Sequence, residues 1–187
     1  MSSNGRRTLL LLALFSVLPL LGAYAVYRVW RPEHRVNHGE LIATHALPSA
    51  QLTDLAGKTF SSDVLHGKWL LVTIQPPSCG QGCQRSLYHI RQVRLTQGQN
   101  MSRIGRLWLL SGAGVPDPRL LAEHPGLLVA RAQDPAWLAS FPAKGEQSAH
   151  IYLIDPLGNV VLRYDENVDP KGMIKDLTRL LNVSRIG

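Results

Sequence analysis

A long uncharged apolar run near the start of the chain limits what this sequence can become. From Thr8 to Tyr27 it reads TLLLLALFSVLPLLGAYAVY, with no charged residue in twenty positions. A helix needs about 20 apolar residues to cross roughly 30 Å of hydrocarbon. We therefore predict a membrane anchor over residues 1–30. A cleaved signal peptide is the alternative, because two arginines precede the run and Ala23-Tyr24-Ala25 resembles a cleavage site.

The residues at the end of the run favour an anchor that is retained. Tyr24, Tyr27 and Trp30 cluster there, and aromatic rings of this kind prefer the interface between membrane and water. Arg28 and Arg31 follow at once, so charge ends the run abruptly. We expect a single-pass membrane protein.

Composition excludes several classes of protein. With 187 residues, 45% of them hydrophobic, the chain can bury one core and is neither collagen-like nor wholly disordered. Its net charge is +7, but residues 1–35 hold five arginines against one glutamate. Much of the excess of basic residues therefore lies in the segments on either side of the apolar run, and we expect no nucleic-acid partner.

A stalk and one α/β domain are expected after the anchor. Residues 31–47 show no sustained periodicity, and the spacing of His34, His38 and His45 fits no metal-ligand pattern. We predict a solvated stalk over 31–47 and a folded domain over 48–187. In that domain strands alternate with helices, which indicates an α/β sandwich with parallel strands and one terminal hairpin. Strands are predicted within 51–60 (two), 69–74, 106–110, 127–130, 150–154 and 159–163, and helices at 81–97, 118–123, 135–141 and 171–181.

The only two cysteines, Cys79 and Cys83, carry the clearest chemical signal. They lie just after a predicted buried strand and at the opening of a predicted helix. A helix N-terminus stabilises a thiolate, and thiols four residues apart share one face of a helix. Such a pair can oxidise to a disulfide or offer two soft ligands to Cu(I) or zinc. We expect the two sulfur atoms side by side and open to solvent. A purely structural disulfide is the alternative.

Several motifs together resemble the Sco/SenC proteins. These are the run Gly67-Lys68-Trp69-Leu70-Leu71-Val72, the Cys79-x-x-x-Cys83 pair, and Tyr152-Leu153-Ile154-Asp155-Pro156-x-Gly158. That family consists of membrane-anchored, thioredoxin-fold copper chaperones and thiol-disulfide reductases of cytochrome c oxidase assembly. The resemblance covers roughly residues 46–182. It implies a thioredoxin-like sandwich with a central mixed sheet, in which Cys79 and Cys83 are the redox thiols and copper ligands. It also implies an anchor in an inner membrane, with the domain in the periplasm or in the mitochondrial intermembrane space.

The third copper ligand of that family is a histidine, and here its position differs. The residue five places before the Tyr152 position is Gln147, and a histidine, His150, comes three residues later. In a regular strand an odd shift turns a side chain to the opposite face. His150 is therefore either a third ligand brought round by a bulge or a half-exposed strand histidine.

Three functions remain open from the sequence. The first is thiol-disulfide exchange, Cu(I) handling, or both, in oxidase assembly, with an oxidase subunit or another redox or copper protein as partner. The second is a non-catalytic, membrane-anchored interaction module that has lost the metal site, which Gln147 favours. The third is a peroxiredoxin-like peroxidase, which Pro76 disfavours because that class has a threonine three residues before its cysteine.

A basic window follows the cysteines in the sequence. Arg85, Arg91, Arg94, Arg103 and Arg106 occur in it with no acidic residue between them. Such a window can dock an acidic partner or anionic lipid headgroups, but a solvated helix face is the simpler expectation.

Overall fold

The computed structural model describes residues 3–29, 37–184 and 186. The chain divides into two compact units, 1–36 and 37–187. In the first unit, helix α1 (Ser3–Val29) contains Pro19. Its segment Gly5–Arg28 has a mean hydropathy of 2.4 over its most apolar window, and no described side chain in that window is buried. At 1.5 Å per residue this segment is about 36 Å long, which confirms the expected N-terminal apolar helix of membrane-spanning length.

The second unit is built on one mixed sheet of eight strands. The strand order is β1-β8-β7-β4-β5-β6-β2-β3. Strand β4 pairs parallel with β5 and antiparallel with β7, and β5 pairs parallel with β6. The elements are β1 (Glu40–Ala46), β2 (Gln51–Asp54), β3 (Thr59–Ser61), β4 (Trp69–Gln75), α2 (Gln81–Leu95), β5 (Ile104–Leu110), α3 (Pro118–Ala122), β6 (Leu128–Ala132), β7 (His150–Ile154), β8 (Asn159–Asp165) and α4 (Pro170–Val183).

Both faces of the central strands are covered, as the apolar run in β4 predicts. All seven residues of β4 are buried, because helices pack on one face and loops with short 3₁₀ turns pack on the other. On the helical face, Leu87, Ile90 and Val93 of α2 and Met173 and Leu177 of α4 share a core with the sheet. The opposite face buries a second core, which includes Leu52, Val72, Trp137, Phe141 and Tyr152. The predicted mixed α/β sandwich is confirmed.

Part of the segment expected as a solvated stalk belongs to the sheet. Residues 40–46 form β1, which pairs antiparallel with β8 at the sheet edge. Just before it, the backbone N–H groups of His38 and Gly39 donate to Oδ2 of Asp176 on α4, at 2.8 and 2.9 Å. A stretch of only seven strand residues with one face covered carries too little periodicity to be recognised. Of the three stalk histidines, His34 lies outside the described residues.

Two further expectations are adjusted by the structure. The helical turn or two expected over residues 135–141 is a 3₁₀ helix, Pro135–Ser140, capped by Asp134. Strand β8 continues to Asp165, two residues beyond the predicted end. This extension matters because it carries the chain to Glu166, which lies beside Gly82, the residue before Cys83.

Candidate functional site

Cys79 lies in the tight connection between β4 and α2. Its N–H donates to the carbonyl oxygen of Pro76 at 3.1 Å, which closes a turn over Pro76–Cys79. Cys79 has φ +36°, the only positive value at a non-glycine among the described residues. That conformation is costly for a residue with a β-carbon and tends to occur at functional sites. Gly80 then caps α2, so Cys83 falls in the first helical turn.

The two cysteines form a disulfide, as their spacing allows. The Sγ atoms of Cys79 and Cys83 are bonded, and their Cα atoms are 5.1 Å apart. The cap of α2 has no side-chain hydrogen bond, and its first turn has no acidic residue of its own. The N-terminal N–H groups of the helix are therefore free of competing side-chain acceptors on α2, and they would stabilise a thiolate once the bond is reduced.

Hydrogen bonds from neighbouring elements fix the end of β4 on which the pair depends. The Trp108 indole on β5 donates to the carbonyl oxygen of Gln75 at 3.1 Å. The Gln75 amide donates to the carbonyl oxygen of Ser148, in the turn before β7, at 2.5 Å. Trp108 is fully buried in the core. These bonds tie the strand end to both of its neighbours.

The expectation that the sulfur atoms are open to solvent is wrong for this oxidised state. Cys79 is 3% exposed and Cys83 is 4% exposed, and both belong to the core on the helical face. Three flanking residues, Ser78, Gly80 and Gln81, are exposed. These three residues therefore lie between the disulfide and solvent, and they have to move before another protein can reach a sulfur.

The structure places His150 away from the cysteines, and the side chain is buried, 3% exposed, rather than half-exposed. It shares the face of β7 with Tyr152, whose ring is 6.1 Å away by centroid, and Tyr152 belongs to the opposite core. Its Nε2 lies 3.1 Å from the carbonyl oxygen of Lys144. Its Nδ1 lies 3.2 Å from Oδ1 of Asp165 without the alignment of a hydrogen bond. No bulge turns His150 toward the sulfurs, because β7 pairs regularly with β8 from His150 to Leu153.

Gln147 does not replace the missing imidazole. Its amide donates to the carbonyl oxygens of Leu138 and Phe141, the second at 3.0 Å. Across residues 3–29, 37–184 and 186, no group of three or more His, Cys, Asp or Glu side chains is arranged to hold a metal ion. The donor set at the pair is therefore two sulfurs, which suits Cu(I) better than Cu(II).

Glu166 is a residue of the site that sequence reasoning missed. A β-carbon at Gly82, in the first turn of α2, would lie 2.6 Å from Oε2 of Glu166. The backbone N–H of Glu166 donates to the carbonyl oxygen of Ala149 at 2.9 Å. The only sequence feature that pointed to such a contact is Gly82 itself, because a glycine between the cysteines leaves space for a neighbouring side chain. Nothing in the sequence indicates which residue occupies that space.

Comparisons with known proteins agree with the fold. Residues 69–184 match the family described as "Transmembrane-like, thioredoxin-like, C-terminal domain". A comparison with characterised proteins returned no significant match. The resemblance to the Sco/SenC proteins is confirmed by many solved structures of that group, which share the thioredoxin fold with this chain.

Three solved structures illustrate the likeness. Yeast Sco1 with copper bound has a TM-score of 0.64 at 18% identity, over 76% of this chain and 96% of that one. ScoI of Bradyrhizobium japonicum with copper bound has a TM-score of 0.56 at 24% identity, over 72% and 98%. BsSco, described as a Sco-family cytochrome c oxidase assembly protein with a disulfide switch, has a TM-score of 0.58 at 13% identity, over 78% and 98%. At these identities the likeness establishes the fold.

Proposed function

Because the chain belongs to the family of transmembrane-like, thioredoxin-like C-terminal domains, we propose that it is a membrane-tethered thiol-disulfide protein. Cys79 and Cys83 cycle between dithiol and disulfide, and in the dithiol form they hold Cu(I) as cargo. The tether is α1, in an inner membrane, and the folded unit faces the periplasm. The process served is cytochrome c oxidase assembly, and the partner is an oxidase subunit or another redox or copper protein.

The observation that carries this proposal is the disulfide at the junction of β4 and α2. A bridge between residues four apart closes a very small loop, so it restrains the unfolded chain far less than a long-range bridge does. Stabilisation alone therefore explains the pair poorly. Its position at a helix N-terminus whose cap, Gly80, makes no side-chain hydrogen bond instead suits a thiol that must ionise.

The exchange reaction follows from the placement of the two thiols. The thiolate of Cys79, in the connecting turn, attacks one sulfur of a partner disulfide, and the partner's other sulfur leaves as a thiolate and takes a proton. Cys83 loses its proton and attacks Sγ of Cys79, which breaks the mixed disulfide. The partner departs as a dithiol with two electrons gained, and this chain is left with the Cys79–Cys83 bond seen in the structure.

Copper fits the site only in its reduced form. Two thiolates can hold Cu(I), whereas Cu(II) prefers nitrogen and oxygen ligands in a tetragonal array. His150 lies on the other face of the sheet and supplies no such ligand. Copper handling is thus restricted to Cu(I) in the reduced protein, and formation of the disulfide releases it.

A second candidate function is a non-catalytic interaction module with a structural bridge. The coverage of both cysteines favours it, since a buried disulfide exchanges slowly. The two functions differ in how the reduced thiols behave.

The decisive experiment is an anaerobic Cu(I) titration of the reduced full chain in detergent, with thiols counted before and after. We expect one Cu(I) per chain, lost in both Cys79→Ser and Cys83→Ser, and a fall in oxidase activity when either variant replaces the wild type in cells. Ser78→Ala is the matched control, as it alters a neighbouring hydroxyl and spares both thiols. If the reduced wild-type chain binds no Cu(I), and oxidase activity is normal in cells that carry either cysteine variant, the protein is the interaction module instead.

A further inference from the structure

A group of cationic side chains lies where α2, β5 and the end of α3 meet. The sequence has no acidic residue between Asp63 and Asp117. Within this stretch Arg91 and Arg94 belong to α2 and Arg106 to β5, and His124 follows α3. We call Arg91, Arg94, Arg106 and His124 the cationic cluster. It is separate from the cysteine pair, and the proposed redox function makes no use of it.

Arg106 is the buried member of the cationic cluster. The sequence suggests a solvated arginine, but this residue is only 4% exposed. Its Nη2 donates to the carbonyl oxygen of Pro125. Its Nε and Nη1 are both buried and have no hydrogen-bond partner among the described residues. Because a buried guanidinium is costly without a partner, and unpartnered buried groups often mark an absent ion or water, these two N–H groups indicate a missing acceptor.

Arg91 and Arg94 add positive charge around this unsatisfied group. None of the ion pairs within the described part of the chain includes a residue of the cationic cluster. Burial, Arg94 and Arg91 together lower the pKa of Arg106 to about 10. Burial, Arg106 and Arg91 lower the pKa of His124, and only Glu123 raises it. The charges therefore act on one another, and a single carboxylate opposes them.

The cluster also has an accessible rim. Arg91 and Arg94 are half-buried. Nε of Arg94 donates to the carbonyl oxygen of Ile104 at 2.8 Å, which holds its side chain over the start of β5. His124 is 5% exposed, and its Nδ1 has no partner either. An anion can therefore approach past the two rim arginines toward the buried Arg106.

We propose that the cationic cluster binds a small phosphate-type oxyanion, with Arg106 as the buried contact and Arg91 and Arg94 as the rim. Guanidinium groups match phosphate oxygens in geometry and form paired, charge-assisted hydrogen bonds with them. The same chemistry is offered by free phosphate and by the phosphate of a lipid headgroup. This inference does not depend on the redox proposal.

The test measures thermal unfolding of the full chain by tryptophan fluorescence, in nanodiscs of phosphatidylcholine. Sodium phosphate is titrated against sodium chloride at equal ionic strength, and a parallel arm replaces part of the lipid with phosphatidylglycerol. A ligand that binds only the folded state raises the unfolding midpoint in a saturable way. We expect this rise with phosphate, with phosphatidylglycerol, or with both, and the arm that responds identifies the source.

Variants assign the effect to the cluster. Arg106→Met removes the buried charge while filling similar volume, so we expect it to fold, to unfold at a midpoint no lower than wild type without phosphate, and to lose the phosphate response. Arg91→Gln, at the rim, should weaken the apparent affinity at least fivefold. Arg85→Gln makes the same charge change on α2 outside the cluster and should keep the wild-type response. A flat midpoint in both arms, or a full response in Arg106→Met or Arg91→Gln, would overturn the proposal.

Discussion

The carboxylate of Glu166 fills the space beside Gly82 in which any other residue would place its β-carbon. The distance from Oε2 to that position is 2.6 Å. Gly82 directly precedes Cys83 in the first turn of α2. A negative charge is therefore held against the helix end that would otherwise favour a thiolate, and the absence of a side chain at Gly82 permits this approach.

We expect Glu166→Gln to make the reduced cysteines react faster. A neighbouring carboxylate disfavours a second negative charge, so its removal raises the fraction of thiolate. The expected gain in the rate of alkylation by iodoacetamide at pH 7 is about threefold, as for a single charge at a half-exposed site. The rate is measured on the fully reduced chain in detergent.

Asp165→Asn is the control for this measurement. It removes the same charge from the adjacent residue, whose side chain is 85% exposed. Its alkylation rate should stay within a factor of about 1.5 of wild type, because charges in water are screened. Equal acceleration in both variants, or none in Glu166→Gln, would show that Glu166 does not act on the thiols.

Asp176 is expected to be among the most destabilising positions to alter. This carboxylate is 1% exposed and accepts hydrogen bonds from the N–H groups of His38 and Gly39 and from the hydroxyl of Tyr164. Burial, together with Asp176, raises the pKa of Tyr164, so the phenol remains a donor. Asp176→Asn places an amide donor among these donors and should cost about 2–4 kcal/mol in the free energy of unfolding.

Urea unfolding followed by tryptophan fluorescence measures this loss. Glu123→Gln, an exposed carboxylate on the same face of the sheet, is the control and should change the free energy of unfolding by less than about 0.5 kcal/mol. Limited proteolysis adds a local readout, since loss of the Asp176 contacts should expose the chain between residues 37 and 46 to cleavage. Unchanged stability and unchanged cleavage in Asp176→Asn would contradict the assignment.

The acid stability of the chain should depend on Glu40. Hydrogen bonds from Lys144 and Arg163 lower the pKa of Glu40 from 4.5 to about 2. A carboxyl whose pKa falls on folding adds stability above its unfolded pKa, and this stability is lost as the pH falls through the folded value. The gap in urea midpoint between wild type and Glu40→Gln should therefore be open at pH 6, narrow below about pH 4.5 and close near pH 2.

The effect should be small, because the Glu40 carboxylate is partly exposed and solvent weakens such pairs. Glu146→Gln serves as the control, being an exposed glutamate with no ion pair among the described residues. A gap between wild type and Glu40→Gln that stays constant from pH 6 to pH 2 would refute this dependence.

Much of the fold could be predicted because its central elements carry strong local patterns. The run over residues 69–74 is largely apolar and lies in a strand whose residues are all buried, and α2 repeats its apolar residues at helical spacing. The hairpin of β7 and β8 is marked by the Asp-Pro-Leu-Gly turn. Each of these patterns lies within one element and does not depend on which other element covers it. The sequence alone was therefore sufficient to predict these elements.

The missed features all depend on contacts between residues far apart in the chain. Strand β1 exists because β8 offers a free edge and Asp176 binds the backbone 138 residues earlier. Glu166 approaches Gly82 only once β8 returns beside α2. The coverage of Cys79 and Cys83 likewise arises from packing of α2 on the sheet. Local periodicity carries no information on such contacts.

Side chains along β7 alternate between the two faces of the sheet, and this alternation leads to the last prediction, which concerns His150. Because His150 lies with Tyr152 on the face opposite the core that holds the cysteines, we expect His150→Ala to leave the Cu(I) affinity of the reduced chain within about threefold of wild type, a difference of about 0.6 kcal/mol. Affinity is measured by competition with a chromophoric Cu(I) chelator under anaerobic conditions.

His150→Ala also loses the contact with the carbonyl oxygen of Lys144 and leaves space beside Tyr152, so its unfolding midpoint should fall. His150→Asn keeps a side-chain donor and should lose less stability, which separates folding from binding. Cys79→Ser is the positive control, since loss of one of two sulfur ligands should weaken Cu(I) binding more than a hundredfold, about 2.7 kcal/mol. A loss of tenfold or more in both folded His150 variants would mean that the strand end rearranges on metal binding and brings the imidazole round to the thiolates.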